Sequence, residues 1–144
     1  MLTLEDKYAI QELVCLFAHY SDFENYEALR SLFMPDIITH TAGSELKFKG
    51  IEAKIEHARE SAKHTNGKNR HFYMNIVIEQ EGGDVFAHYY VMNVNAGERP
   101  LGLQMVVSGR MRDRVVKTPD GWRIAERTFT PDQSFTYTEE SPRH

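Results

Sequence analysis

Apolar residues recur three or four positions apart through the first part of the chain, between Leu4 and about Phe23. This spacing predicts an amphipathic helix, because side chains at such positions share one helical face. The predicted apolar face consists of Ile10, Leu13, Val14 and Phe17. Thr3 can cap the start of the helix together with Asp6, three positions further on. We therefore expect a long first helix that packs one face against a core.

The same spacing predicts two further helices. One runs from about Tyr26 to Pro35, where the proline ends it because its ring cannot continue a helix. The other runs from Ile51 to His64 and is followed by the stop signal Asn66-Gly67. Between these helices, residues 37–41 and 46–49 flank a cluster of turn residues and predict a small hairpin.

After Arg70 the hydrophobic period changes from helical to two, which predicts β-strands. Four strands separated by turn sequences are expected, at Arg70–Gln80, Asp84–Ala96, Leu101–Lys117 and Trp122–Thr130. They should form an antiparallel meander, because tight turns join only antiparallel neighbours. Helices first and a sheet last predict an α+β domain over residues 1–131, followed by a polar tail at 132–144.

Composition and charge narrow the classes of partner and compartment. The 144 residues carry a formal net charge of −4, with both signs mixed along the chain, so neither a nucleic-acid surface nor a membrane-binding patch is indicated. Cys15 is the only cysteine, which excludes a disulfide framework and favours a reducing compartment. The first residues do not resemble a signal peptide, and no apolar run approaches the ~20 residues of a membrane helix. We therefore expect a cytoplasmic protein.

Four short motifs occur in a definite order along this pattern: Tyr20-Ser21-Asp22, Leu32-Phe33-Met34-Pro35-Asp36, Arg70-His71-Phe72 and Asp120-Gly121-Trp122-Arg123-Ile124. With the order of elements, they resemble the SnoaL-like branch of the nuclear transport factor 2-like superfamily over residues 4 to 130. The resemblance implies a cone-shaped α+β barrel, in which a curved antiparallel sheet wraps around the long N-terminal helix. It also implies a homodimer or homotrimer. Because the superfamily contains polyketide cyclases, dehydratases, isomerases and members without catalysis, the fold alone does not determine the function.

The resemblance points to Asp22 and His71 as a catalytic pair. In the dehydratase-like members an aspartate near the end of the first helix pairs with a histidine at the start of the first long strand, and these two residues match those positions. A neutral imidazole is a competent base, and a carboxylate on its other nitrogen stabilises the imidazolium that forms. Such a pair suits removal of a proton next to a carbonyl group. Where scytalone dehydratase has two tyrosines, this chain has Ser21 and about Thr41, so that substrate does not carry over.

The implied activity is that of a cofactor-independent dehydratase, cyclase or isomerase for a small apolar carbonyl compound such as a polyketide, terpenoid or steroid. The alternative gives both residues structural roles, with Asp22 capping the second helix and His71 exposed at a strand end. The chain would then be a ligand-binding or assembly module, or an accessory subunit of an oxygenase. Neither an HExxH motif nor a cluster of cysteines and histidines occurs, so we expect no metal and no cofactor.

Eight further side chains are candidates for the substrate pocket: Phe17, Tyr20, His40, His88, Tyr89, Asn93, Met111 and Arg127. His88 and Tyr89 are adjacent in one strand, so they face opposite sides of the sheet, and the sequence leaves open which side lines the pocket. A buried Arg127 would need a carboxylate or a substrate oxygen as its partner.

Two groups of charged or titratable residues are expected outside the pocket. Arg110, Arg112 and Arg114 alternate with apolar residues along one strand, and we expect them to face outward or to form a subunit contact. Capture of an anionic substrate or partner is the alternative role for this row. His57 and His64 lie seven positions apart on the third helix and are expected on its solvated face.

Overall fold

The computed structural model describes residues 1–45, 47–97 and 104–132. Within these residues the chain forms three helices and six strands: α1 Leu4–Asp22, α2 Tyr26–Arg30, β1 Phe33–Thr41, β2 Lys47–Lys49, α3 Ile51–His64, β3 Asn69–Glu81, β4 Asp84–Asn95, β5 Gln104–Thr118 and β6 Gly121–Pro131. Predictions for Leu46, for the turn at 98–100, for the start of the third long strand at 101–103 and for the tail beyond 132 lie outside the described residues.

The first helix forms as its sequence predicts. Thr3 Oγ1 accepts a hydrogen bond from the Asp6 amide at 3.0 Å, and the Asp6 carboxylate accepts one from the Thr3 amide at 3.2 Å. The Asp6 carboxylate also accepts hydrogen bonds from Lys117 Nζ at 2.8 Å and from the indole of Trp122 at 3.1 Å. These contacts lower the pKa of Asp6 and attach the start of α1 to the hairpin between β5 and β6.

The second helix ends earlier than its sequence predicts. It stops at Arg30, and Phe33 already belongs to β1, where it pairs with Ile124 of β6. Pro35 lies inside an irregular part of this strand, between Phe33 and Ile38. The prediction of a helix up to Pro35 was wrong because pairing with β6 and burial of the Phe33 ring, which is 5% exposed, outweigh the local helical spacing.

A single sheet runs in the order β2-β1-β6-β5-β4-β3. Strands β3 to β6 form the predicted antiparallel meander, whereas β1 lies parallel to β6, a pairing that no local pattern indicated. The pairing register shifts at one point in each of four strand pairs, and such irregularities bend strands and increase their twist. The curved sheet and the N-terminal helix together form the mixed α+β architecture that the sequence predicts.

The core lies between the concave face of the sheet and the helices. α1 packs against β3 and β6, and α3 packs against β1. Fully buried apolar side chains from helices and strands meet there, among them Ile10, Val14, Leu29, Ile37, Ile55, Ala87 and Ile124. Among the described residues, neither α1 nor a shorter helix combines the length and the hydrophobicity that crossing a membrane requires.

Gly109 permits the close packing of an aromatic ring against β5. A Cβ atom at this position would lie 2.5 Å from Cε2 of Phe129 and 2.6 Å from the carbonyl oxygen of Thr130. Both distances are shorter than van der Waals contact, so the strand can carry no side chain here without moving β6.

We predict that Gly109→Ala destabilises the protein by about 1–3 kcal/mol, the usual effect of overpacking a filled interior. The measurement is urea unfolding followed by circular dichroism. Gly83→Ala is the matched control, because a Cβ at Gly83 would meet no atom within 4 Å. Equal unfolding midpoints for the two variants would contradict the packing argument.

Candidate active site

The carboxylate of Asp22, the last residue of α1, is hydrogen-bonded twice to His71, near the start of β3. Asp22 Oδ1 lies 2.5 Å from His71 Nδ1, and Asp22 Oδ2 accepts a hydrogen bond from the backbone N–H of His71 at 2.9 Å. The Asp22 and His71 side chains are 6% and 18% exposed. Because an ionised carboxylate only accepts, Nδ1 must carry a proton, and Nε2 of the neutral ring keeps its lone pair.

Aromatic neighbours hold the imidazole in place. The ring of Phe17 lies 6.1 Å from that of His71 in an edge-to-face arrangement, and the ring of Tyr73 lies 5.8 Å away at 64°. Phe17 and Tyr73 also stack on each other, with ring centroids 5.8 Å apart. Packing and hydrogen bonding therefore both restrict the orientation of His71, which is the condition for an efficient base.

His71 lines a cavity of about 200 Å³ between the helices and the concave face of the sheet, here called the site cavity. α1, α3 and all six strands contribute to its lining. Its apolar surface comes from Phe17, Val91, Val107, Met111 and Phe129, and its polar surface includes Thr39, Asn93 and Arg127. A cavity in which aromatic and aliphatic walls meet convergent polar groups is typical of small-molecule sites.

A buried ion pair lies beneath the site cavity. Arg127 donates from Nε to Asp113 Oδ1 at 2.8 Å and from Nη2 to Asp113 Oδ2 at 2.7 Å, and both residues are at most 1% exposed. The hydroxyl of Tyr89 donates to Asp113 at 2.6 Å and accepts from Arg127 at 2.8 Å. Burial opposes the charge on Arg127, but Asp113 raises the pKa of the guanidinium well above its usual value, so Arg127 stays ionised.

Three buried polar atoms in residues that line the site cavity have no hydrogen-bond partner within the described part of the chain: Thr39 Oγ1, Asn93 Oδ1 and Arg127 Nη1. Buried polar groups are normally paired, and an unpaired group destabilises a protein by about 1–3 kcal/mol. Asn93 is the register partner of His71, and Thr39 is the register partner of Arg127. The unpaired atoms are therefore distributed over two sides of the cavity, where a ligand with polar oxygens could pair with them.

Sequence comparison identifies the family of this chain. Residues 2–128 match the SnoaL-like domain. The chain belongs to the SnoaL-like domain family. None of the curated proteins matches the sequence.

Solved structures show the same fold in this SnoaL-like protein. A nuclear transport factor 2-like protein with a cystatin-like fold from Novosphingobium aromaticivorans is 21% identical, with a TM-score of 0.81 over 92% of this chain and 86% of that one. Aln2 from a Streptomyces species is 19% identical, with a TM-score of 0.80 over 92% and 94%. A Catenulispora acidiphila structure in complex with S-DNPA is 27% identical, with a TM-score of 0.70 over 88% and 92%.

Lys54 of α3 is a cavity residue that the sequence pattern did not single out. Its side chain is buried, and Nζ lies 5.2 Å from the centre of the Phe17 ring. Burial, together with the nearby charge of Arg127, lowers the pKa of Lys54 from 10.5 to about 7. Its position does indicate burial, because Lys54 lies three residues after Ile51 and four before Ala58, on the apolar face of the helix. It was not selected from the sequence, because a lysine is normally assigned to the solvated face.

The structure places the other predicted pocket residues in different surroundings. Phe17, Asn93, Met111 and Arg127 line the site cavity. Tyr89 faces the same side but is buried in the core, with its hydroxyl in the Asp113 network, and Tyr20 packs against the core as a partly buried residue. Tyr20 was predicted to line the cavity, and this was wrong, because its ring packs against the hydrophobic core.

Two histidines proposed for the pocket lie on the outer face of the sheet. His40 is between the cavity-lining residues Thr39 and Thr41, so strand alternation turns it outward. His88 is likewise next to the inward Tyr89, and its Nε2 lies 3.4 Å from Glu81 and 3.7 Å from Glu79. Assigning these histidines to the pocket was wrong. Their neighbours in the strand face the interior, and alternate residues of a strand face opposite sides of the sheet.

The outer face also carries the arginine row, as the strand pattern predicts. Arg112 pairs with Glu81 at 2.9 Å and covers the ring of Phe86, while Arg114 lies 3.5 Å from Glu126. Glu79, Glu81 and His88 bring ligand atoms within 4.8 Å of one another, a spacing that suits a metal ion. Arg112 already neutralises Glu81, so we interpret these three residues as part of an ion-pair network and not as a metal site.

His57 is exposed, as its predicted place on the solvated face of the third helix requires. It also borders the site cavity, with its ring 4.8 Å from that of Phe48. Desolvation by its neighbours and the charge of Lys54 lower its pKa, which favours the neutral imidazole.

We predict that Asp113→Asn destabilises the protein by about 3–5 kcal/mol, because it leaves the buried Arg127 guanidinium without a counter-charge. Chemical denaturation measures this change. Asp84→Asn is the control, since Asp84 is 60% exposed and its ion pair with Arg114 is long, at 3.9 Å. Its effect on stability should stay below about 1 kcal/mol. A small loss for Asp113→Asn would show that Arg127 does not depend on this carboxylate.

The depressed pKa of Lys54 predicts a pH-dependent stability. Between pH 7 and 10.5 the unfolded chain keeps the lysine proton while the folded protein releases it, so the unfolded state binds more protons and stability rises with pH. From pH 7 to 9 the free energy of unfolding of the wild type should rise by about 2 kcal/mol relative to Lys54→Met. Urea unfolding of both proteins at the two pH values measures this difference. Parallel pH profiles would mean that Lys54 ionises as an exposed lysine does.

Proposed function

We propose that this SnoaL-like protein is a cofactor-independent enzyme that removes a proton next to a carbonyl group, as a dehydratase, cyclase or isomerase. The observation that carries the proposal is the 2.5 Å contact of Asp22 with His71 Nδ1 at the edge of the site cavity. This contact leaves Nε2 as the basic atom and places a carboxylate beside the imidazolium that proton removal creates.

The proposed reaction begins with transfer of a proton from the α-carbon to Nε2 of His71, which leaves an enolate. Asp22 stabilises the positive charge that the imidazole gains. The enolate can expel a β-hydroxyl group, which departs as water with the proton returned by His71. It can instead attack a second carbonyl carbon, or take the proton back at another carbon. These outcomes are dehydration, cyclisation and isomerisation, and none requires a protein nucleophile.

The size and lining of the site cavity favour a small substrate. A volume of about 200 Å³ is below the ~300–1,000 Å³ of pockets for drug-sized ligands. Aromatic and aliphatic side chains would cover the carbon skeleton, while the unpaired atoms of Thr39, Asn93 and Arg127 would meet its oxygens. We therefore propose a compact carbonyl compound of one or two rings. The Catenulispora acidiphila protein, solved in complex with S-DNPA, supports ligand binding by this fold.

Ligand binding without turnover is the second candidate function. The unpaired polar atoms in the cavity lining favour binding whether or not a reaction follows. The two candidates differ in what they require of His71, because a binding protein needs its shape but not its basic nitrogen.

We predict that His71→Ala and Asp22→Asn each reduce proton removal by about 10²–10⁴-fold, the usual contribution of a general base. The assay follows deuterium incorporation at the α-carbon of 2-tetralone in D₂O by NMR. Binding of 2-tetralone, measured by fluorescence or by NMR line broadening, should change little. His64→Ala is the control, because His64 lies on the exposed side of α3.

Full exchange activity in either variant would rule out the Asp22–His71 mechanism. Binding of 2-tetralone without exchange above the buffer rate in the wild type would favour the binding function.

A further inference from the structure

We infer that Lys54 and Arg127 form a subsite for an anionic oxygen of the ligand, so that the site cavity takes a compound bearing a carboxylate or phenolate. These two side chains are called the cationic wall. This inference rests on the proposed function insofar as it places the ligand in the same cavity, and it adds the chemical class of that ligand.

The first argument is the charge balance of the cationic wall. Asp113 neutralises Arg127 through two hydrogen bonds, and both oxygens of Asp22 are engaged by His71. Among residues 1–45, 47–97 and 104–132, Lys54 Nζ lies over two aromatic rings and has no carboxylate within ion-pairing distance. A buried ammonium without a counter-ion is unfavourable. A ligand anion would supply the charge that the protein does not.

The second argument is the unused donor on Arg127. Nε and Nη2 are both bonded to Asp113, whereas Nη1 has no partner among the described residues, although Arg127 is only 1% exposed. Thr39 of β1 is the register partner of Arg127, and its hydroxyl is also unpaired. Charge-assisted hydrogen bonds from guanidinium and ammonium groups to anionic oxygens are stronger than those to neutral acceptors. The free donor on Arg127 and the ammonium of Lys54 therefore favour an anion over an amide or a ketone.

The third argument is position. The guanidinium carbon of Arg127 lies 4.0 Å from the centre of the Phe17 ring, Lys54 Nζ lies 5.2 Å from it, and the His71 ring lies 6.1 Å from it. One aromatic ring thus contacts both the proposed base and the cationic wall. A compact ligand that packs on Phe17 can reach the cationic wall with its anionic group while its α-carbon lies at His71. The same wall would stabilise negative charge that develops on a conjugated oxygen.

The elements around Lys54 carry these charged or titratable groups: Asp22 on α1, His57 on α3, His71 and Tyr73 on β3, Tyr89 on β4, Asp113 on β5 and Arg127 on β6. Besides burial, the charge of Arg127 lowers the pKa of Lys54 and that of Asp113 raises it. With a pKa of about 7, Lys54 is only partly protonated at pH 7 in the empty cavity. An anion beside it raises that pKa, so binding should take up a fraction of a proton at pH 7.

The test compares benzoate with benzamide, which have nearly the same shape and differ in charge. Isothermal titration calorimetry on the full chain at pH 7 should show benzoate binding at least ten times more tightly than benzamide to the wild type. Lys54→Met should reduce this preference to less than threefold. Lys63→Met is the matched control on the same helix, because Lys63 is 69% exposed and pairs with Glu60, and it should keep the wild-type preference.

A second measurement follows proton uptake on binding, and its result in the wild type does not depend on the folding of a variant. Benzoate titrations in two buffers of different ionisation enthalpy should show net proton uptake by the protein at pH 7, because benzoate itself is already ionised. Lys54→Met should lose this uptake, whereas a variant of His57 should keep most of it.

Equal affinities for benzoate and benzamide, no saturable benzoate binding by the wild type, or an unchanged preference in Lys54→Met would each overturn the subsite. His71→Ala separates this result from the proposed reaction. That variant should bind benzoate with its preference intact while proton removal from 2-tetralone is lost. Loss of turnover in His71→Ala with the preference for benzoate retained supports both proposals. Wild-type turnover that depends on His71, together with no preference for benzoate, contradicts only the subsite.

Discussion

The two hydrogen bonds that His71 donates to Asp22 connect the start of β3 to the end of α1, residues 49 positions apart in the chain. One oxygen fixes the backbone of the strand and the other fixes the imidazole, so the same carboxylate sets both the position and the tautomer of the ring. Because α1 is also held at its other end by Asp6 contacts to the β5–β6 hairpin, its length spans the concave face between two anchored ends. The site cavity lies between this helix, α3 and the concave face of the sheet.

The polar groups in this interior have two different roles. Arg127, Asp113 and Tyr89 satisfy one another and form a closed network, which is what a buried ion pair needs in order to be tolerated. Within the described residues, Thr39 Oγ1, Asn93 Oδ1 and the remaining nitrogen of Arg127 have no hydrogen-bond partner and belong to residues that line the cavity. Arg127 thus uses one side of its guanidinium for the closed network, and the other side faces the proposed subsite.

The chemistry of the cavity follows from where its charges lie. A basic nitrogen comes from β3, two cationic groups come from α3 and β6, and the ring of Phe17 contacts all three. Removal of a proton next to a carbonyl needs a base at carbon and a positive group near oxygen. The described interior offers both in one apolar enclosure, where electrostatic interactions are less screened than in water.

Local patterns in the sequence determined most elements of the fold. The helical spacing of Ile10, Val14 and Phe17 and the capping box at Thr3 specify α1, and alternation with tight turns specifies the meander, because these signals depend only on neighbours along the chain. Resemblance of short motifs indicated that Asp22 and His71 belong together. The inward direction of Arg127 and its need for a carboxylate also followed from its place beside Phe129.

The environments of several side chains were decided by the tertiary structure alone, because they depend on which surfaces meet. Phe33 leaves the helical pattern since β6 offers it a partner, and His40 and His88 face outward since their neighbours are drawn into the core. Lys54 is buried because its helix face is covered by a curved sheet whose shape no single segment encodes, and its missing counter-ion is visible only when all the described elements are assembled. The sequence determined the periodicity of the elements and indicated that Asp22 and His71 pair. Long-range packing determined which side chains line the cavity and with what charge.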